Sequence, residues 1–101
     1  MAGEGTFQTK ALEYLERRGA YAVNNHGTGI TGSGRPDAFV CYRGWFVAFE
    51  WKDPNIDADK HTSAAQKLHI KRIRNAGGLA YACNTIDFIK QVLDRIDRET
   101  S

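Results

Sequence analysis

The sequence predicts an α/β fold, a mixed four-stranded sheet with helices packed on its faces, and three observations carry that expectation. Apolar residues recur at helical spacing in three stretches, around residues 6–18, 63–76 and 85–96. β-branched and aromatic residues crowd four short runs between them, two of which flank Arg43-Gly44. Glycines stand where the chain must reverse, at Gly19, Gly44 and Gly77-Gly78. The order of elements is α-β-β-β-α-β-α.

With 101 residues the chain makes one domain with room for a single core. Hydrophobic residues are 42% and charged residues 26%, ordinary for a soluble globular protein, and no apolar run reaches the roughly 20 residues of a membrane helix. The opening Met-Ala-Gly-Glu-Gly-Thr lacks the apolar region of a signal peptide, so the cytoplasm is the expected location. A net charge of +2 does not by itself announce a nucleic-acid binder; the placement of the cations matters more. Cys41 and Cys83 both fall in predicted strands and are expected to be small core side chains, not a disulfide or a metal site.

In the first helix Thr6 is placed to cap, Phe7, Ala11, Leu12 and Leu15 form the apolar stripe, and Gly19 takes the left-handed position after the end. Residues 20–24 read as a strand, and 25–34 as a Gly/Thr/Ser-rich loop. Gly27-Thr28-Gly29-Ile30-Thr31-Gly32 matches the dinucleotide glycine pattern but leads into Arg35-Pro36-Asp37 and a strand instead of opening a helix, so that reading is rejected. A glycine loop here suits close approach of a bulky backbone phosphate. The aspartates of residues 53–60 lack the glycine and distal glutamate of a calcium loop and read as solvated. Ser63-Ala64-Ala65-Gln66 is a capping box opening the second helix. Its arc of Ala65, Gln66, His69, Ile70, Ile73 and Ala76 should face the sheet, opposite Lys67, Lys71 and Arg74, with His69 packed in the core. Residues 79–84 form the fourth strand. Thr85 caps a last helix carrying Phe88, Ile89, Val92, Leu93 and Ile96, with a tail expected to fray from Asp97.

The chemistry gathers in the hairpin from Gly34 to Lys52. If Tyr42 and Trp45 close a two-residue loop, counting outward sets Asp37 opposite Glu50, with Lys52 on the same face. A three-residue turn would instead shift the pairing by one and send the two acids to opposite faces. Phe39, Cys41, Phe46 and Ala48 share the face of the acids, and Val40, Tyr42, Val47, Phe49 and Trp51 line the other, so burial on both sides is expected. Facing carboxylates at the rim of such a sheet repel, and a hard cation is the natural occupant; a shared proton or two salt bridges is the rival. Gln66 falls in the first turn of the second helix on the sheet side, placed to cap, to contact this site, or both.

The order of elements, with Pro36-Asp37, Glu50-Trp51-Lys52, then Ser63 and Gln66, resembles the PD-(D/E)XK nuclease superfamily, and within it the small stand-alone VRR-NUC domains, which are similar to Holliday-junction resolvases. The resemblance implies a restriction-endonuclease-like αβββαβ core and one VRR-NUC-like nuclease domain over residues 1–101. It implies that Asp37, Glu50 and the backbone carbonyl of Trp51 hold a divalent metal, Mg²⁺ with Mn²⁺ able to substitute. Lys52 would then orient or deprotonate the attacking water, and Gln66 would support the site. Relatives often carry a glutamate on the first helix; here Gln8, or Glu4 one turn earlier, stands in that region, a departure from the pattern.

The activity implied is a metal-dependent endonuclease cutting DNA, structure-selective toward branched substrates such as four-way junctions, working as a homodimer in a bacterial or phage-infected cell. Arg35, His26, Lys67, Lys71 and Arg74 are the candidate DNA contacts, with Lys60, Arg43 and Arg72 also in reach. The alternatives are a sequence-specific or non-specific DNase, a catalytically inactive nucleic-acid-binding domain, and a partner-binding domain. Nothing matches a zinc spacing.

Overall fold

The computed structural model describes residues 4–25, 34–58 and 61–101, so His26, the glycine run at 27–32 and Lys60 lie outside the described residues. The elements are α1 (Glu4–Arg17), β1 (Tyr21–Asn24), β2 (Ala38–Tyr42), β3 (Trp45–Trp51), α2 (Ala64–Asn75), β4 (Leu79–Cys83) and α3 (Ile86–Thr100). The sheet runs β1-β2-β3-β4 in space. Its first three strands form an antiparallel meander, and α2 carries the chain across so that β4 lies parallel to β3.

The turn at residues 43–44 decides the register. Arg43 and Gly44 have φ of 51° and 84°, the pair of left-handed residues whose twist matches the flanking strands in a two-residue hairpin. Tyr42 pairs with Trp45 and the ladder runs to Ala38 opposite Phe49, so one further step sets Asp37 opposite Glu50, as the hairpin arithmetic expects.

One face of the sheet is closed. Val40, Tyr42, Val47, Phe49, Trp51 and Cys83 point into a core to which α1 adds Phe7, Ala11 and Leu15, and α3 adds Ile89, Val92, Leu93 and Ile96. Phe49 stacks on Trp51 at 5.2 Å between ring centres, and Phe7 meets Trp51 edge-on at 5.7 Å. A polar clamp ties the outer ends of α1 and α3 to β2. Arg18 donates to Asp94 and Asp97 at 2.9 and 3.1 Å, and the Tyr42 hydroxyl donates to Asp97 at 2.8 Å. Partial burial works against the charge of Arg18, but hydrogen bonds with Tyr14, Tyr42 and Asp94 outweigh it and raise the guanidinium pKa.

This clamp corrects one expectation. α3 does not fray from Asp97 but runs to Thr100, because Asp97 is held by Arg18 and Tyr42, and Arg43 Nε donates to Thr100 Oγ1 at 2.8 Å. Thr6 is another departure: α1 starts at Glu4, so Thr6 is a helical residue and not the cap.

The other face is only partly covered, which overturns the expectation of burial on both sides. α2 lies across β3 and β4, has no fully buried residue, and keeps His69 half-buried instead of in the core. Tyr21 is 72% exposed and Phe46, beside Ile73 at the end of α2, 43%, with Val23 and Cys41 also exposed. Cys41 is therefore a surface thiol, while Cys83 is buried as expected, and burial pushes its thiol pKa up to about 12.

Candidate active site

Where α2 begins over the open face, its first turn meets the ends of β2 and β3. Ser63 caps the helix, accepting from the Gln66 backbone N–H, while the Gln66 side chain reaches back to the Ser63 N–H at 2.9 Å. The same Gln66 Oε1 accepts from Lys52 Nζ at 2.9 Å, and its Nε2 donates to Glu50 Oε2 at 2.7 Å. The capping box and the contact with Glu50 and Lys52 are thus made by one amide, whose orientation is set by two donors on its oxygen and an acceptor on its nitrogen.

Glu50 and Lys52 are 7% and 8% exposed, and among the described residues they are the buried charged ones. Their charged atoms lie 3.9 Å apart. Burial of both is tolerable because each is bonded to neutral polar groups as well, Lys52 Nζ also donating to the His61 carbonyl at 2.9 Å.

Asp37 sits just before β2 and is half-buried. Its Oδ2 accepts from the Trp51 N–H at 2.8 Å, and its carbonyl accepts from Asn25 N–H at 2.7 Å. Asn25 also donates through Nδ2 to the Pro36 carbonyl at 2.9 Å, so the end of β1 holds the Pro36-Asp37 corner in place. On the other side Gly34 lies against α2: a Cβ there would come within 2.5 Å of the Ala65 carbonyl carbon, and φ is +81°. Only glycine lets this segment pass so close beneath the helix that carries Gln66.

Alternation along β3 places the Trp51 carbonyl. Lys52 N–H donates across to Cys83 of β4, so the backbone groups of Trp51 turn the other way, toward β2, as the bond from its N–H to Asp37 shows. The Trp51 carbonyl therefore shares the side of Asp37. The oxygens gathered at this rim are hard donors, two carboxylates and a carbonyl, the set expected around Mg²⁺, which keeps several waters and takes one or two carboxylates. No cluster of three His, Cys, Asp or Glu occurs among the described residues.

The remaining candidates are dispersed. Gln8 is half-buried on α1, which packs on the closed face; Glu4 opens the same helix, and its side chain lies outside the described residues. Arg35 is exposed two residues before Asp37. Lys67 and Lys71 are exposed on α2, and Arg74 turns back to donate twice to the Ala80 carbonyl, at 2.7 and 3.1 Å. Two contributors carried no sequence signal that the motif would reveal: the backbone carbonyl of His61, since any residue supplies one, and Asn25, which reads only as a strand end.

No family model and no curated protein matches the chain. A solved structure described as a VRR_NUC domain shares its fold, with a TM-score of 0.64 and 22% identity over 90% of this chain and 94% of that one. The chain thus has the fold of a VRR_NUC domain structure over nearly its whole length.

Proposed function

We propose that the protein is a metal-dependent endonuclease that hydrolyses DNA phosphodiester bonds, structure-selective toward branched substrates. The observation that carries this reading is the joining of Asp37, Glu50, Lys52 and Gln66 at one rim of the open face, through register on one side and the α2 cap on the other. The shared fold with the VRR_NUC domain structure supports it.

Asp37, Glu50 and the Trp51 carbonyl would hold Mg²⁺, or Mn²⁺ in its place. When bound, such an ion supplies charge neutralisation at the scissile phosphate and a more acidic water. The chain's own residues do the rest. Lys52 has two of its three donors engaged by His61 and Gln66, and the remaining one is available to a water or a phosphate oxygen. Held in this way, the ammonium is preorganised against the negative charge that builds up on the phosphate as water attacks. Gln66 positions both neighbours: without its amide, Lys52 and Glu50 would close on each other. Arg35, exposed beside the corner, is suited to a flanking phosphate.

A second copy of the chain completes the reading. The outer edge of β1 and the exposed Tyr21, Val23 and Phe46 offer a surface that two copies would share about a two-fold axis, bringing two sites to one branched substrate. Light scattering behind size exclusion reads this directly, with a mass near one chain counting against it. The activity is tested on linear duplex, single-stranded and four-way-junction DNA with Mg²⁺, Mn²⁺ or chelator, beside Asp37→Ala. Metal-dependent cutting lost in the variant is expected. Cutting that survives in Asp37→Ala, or no cutting of any substrate, overturns the proposal.

A further inference from the structure

Outside the rim, a cleft of about 940 Å³ is bounded by α2, the outer edge of β4 and α3. Among the described residues, three cations line it, Lys67, Lys71 and Arg74, against one carboxylate, Asp57. The far wall is aromatic: Tyr81 and Phe88 meet edge-to-face at 5.3 Å, and the Arg74 guanidinium lies 5.4 Å from the centre of the Tyr81 ring.

The floor is the unpaired edge of the sheet. Because the Cys83 carbonyl faces β3, accepting from the Lys52 N–H at 2.9 Å, the backbone groups of Ala80 and Ala82 face the cleft. Arg74 takes the Ala80 carbonyl, which blunts the edge against another strand at that point. The N–H and carbonyl of Ala82 are directed into the cleft as one donor and one acceptor.

The rim residues do not line the cleft, but their chain neighbours do. Lys67 follows Gln66, Thr62 follows His61, and Cys83, bonded to the Lys52 backbone, lies on its wall. Lys67 and Lys71 stand one helical turn apart, about 5–6 Å at Cβ, a spacing suited to successive phosphates of one strand. A groove that is cationic on one wall, aromatic on the other and polar at its floor is built for an unpaired nucleic-acid strand, whose phosphates and bases lie on opposite sides of its backbone. A duplex keeps its bases stacked and paired, exposing their edges in the grooves but no base face to an aromatic wall.

We propose that this cleft holds a single unpaired nucleic-acid strand leading to or from the active-site rim, with Lys67 and Lys71 on its phosphates. The inference rests on the nuclease reading for its destination, but its test does not depend on cutting. Binding is measured by fluorescence anisotropy in chelator, on an Asp37→Ala background, with a short labelled single-stranded oligonucleotide and with the duplex of the same sequence. Lys67→Glu combined with Lys71→Glu should weaken single-strand binding by about tenfold or more and lower the slope of log K against log salt by about 1.4, two contacts at about 0.7 each. Duplex binding should change far less. Lys10→Glu, on exposed α1 surface away from the cleft, serves as the charge control and should leave single-strand binding within about twofold. Both lysines are exposed, and the thermal midpoint of the double variant checks that it remains folded.

Unchanged single-strand binding in the double variant overturns the inference, as does an equal loss for duplex. So does displacement of the oligonucleotide by polyglutamate at equal charge concentration, which would assign the cleft to an acidic peptide. Single-strand binding that responds to the lysines in a protein that cuts nothing would sink the nuclease reading and leave the cleft standing.

Discussion

The two faces of the sheet differ in how they are covered, and the difference separates stability from chemistry. On the closed face α1 and α3 bury Phe7, Leu15, Ile89, Leu93 and Ile96 against Phe49 and Trp51. On the open face α2 buries no residue fully, yet Glu50 and Lys52 beneath its first turn are nearly as inaccessible as the core. A helix held by a capping amide, by Arg74 on the Ala80 carbonyl and by half-buried isoleucines depends less on hydrophobic burial than α3 does. Substitutions on the closed face should therefore unfold the protein, and substitutions at the rim should leave it folded and inactive.

The largest separation is expected from Asp37→Ala. Loss of a carboxylate from the proposed metal site should reduce cutting by about a thousandfold or more, comparable with or beyond the loss of a single transition-state donor. It should cost only about 1–2 kcal/mol of stability for the Trp51 N–H left without its acceptor. A variant that unfolds instead would show that the rim is structural. On the other face, Leu93→Ala or Ile89→Ala should lower unfolding free energy by about 2–5 kcal/mol in urea titration, since both side chains are wholly buried. Cutting per folded molecule should hardly change.

Gln66→Ala sharpens the comparison because the residue serves both the helix and the rim. About 10–100-fold loss of activity is expected, the range for groups that orient a metal site's ligands, with about 1 kcal/mol of stability lost with the cap interaction. Gln66→Glu keeps a capping acceptor but places a carboxylate against Glu50. Repulsion there should offset the gain at the cap, so neither stability nor activity should return to the starting level, and full activity in that variant would remove the positioning role.

Smaller effects mark the open part of the face. Phe46→Ser should shift unfolding by no more than about 1 kcal/mol, since the ring is already 43% exposed, while lowering the fraction of the proposed dimer. The two cysteines report the same asymmetry by chemistry. Iodoacetamide at neutral pH should label exposed Cys41 in the folded protein and spare Cys83, whose buried thiol is held near pKa 12; mass spectrometry of the peptides gives the answer. At low pH the clamp between α1 and α3 should loosen slightly. Asp94, whose pKa is lowered chiefly by its hydrogen bond with Lys90 and further by Arg18, contributes stability above its unfolded pKa and loses it as pH falls through the folded value. An Asp94→Asn variant should flatten that part of the acid unfolding curve.

Local chemistry made much of this legible beforehand. The sequence marks a tight turn at Arg43-Gly44, in which a two-residue loop would set Asp37 and Glu50 side by side, and the left-handed φ of both residues shows that this loop forms. Ser63 and Gln66 announce their cap because the box is a contact between near neighbours. What failed was whatever depended on neighbours distant in sequence. Cys41 and Phe46 look like core residues in a strand, and only the placing of α2 over β3 and β4 leaves Cys41 exposed and Phe46 partly covered, beside Ile73. Asp97 looks like the start of a frayed tail, and only the arrival of Arg18 and Tyr42 holds it.

The sequence by itself determined the order of elements, the place of the hairpin turn and the cap of α2, because turns, caps and strand alternation act over a few residues. Tertiary structure alone decided which face is sealed, that one glutamine joins a helix cap to Glu50 and Lys52, and that α2, β4 and α3 enclose a cationic cleft. Those outcomes depend on where whole elements come to rest against one another, and packing of that kind is a property of surfaces that no local stretch of chain contains.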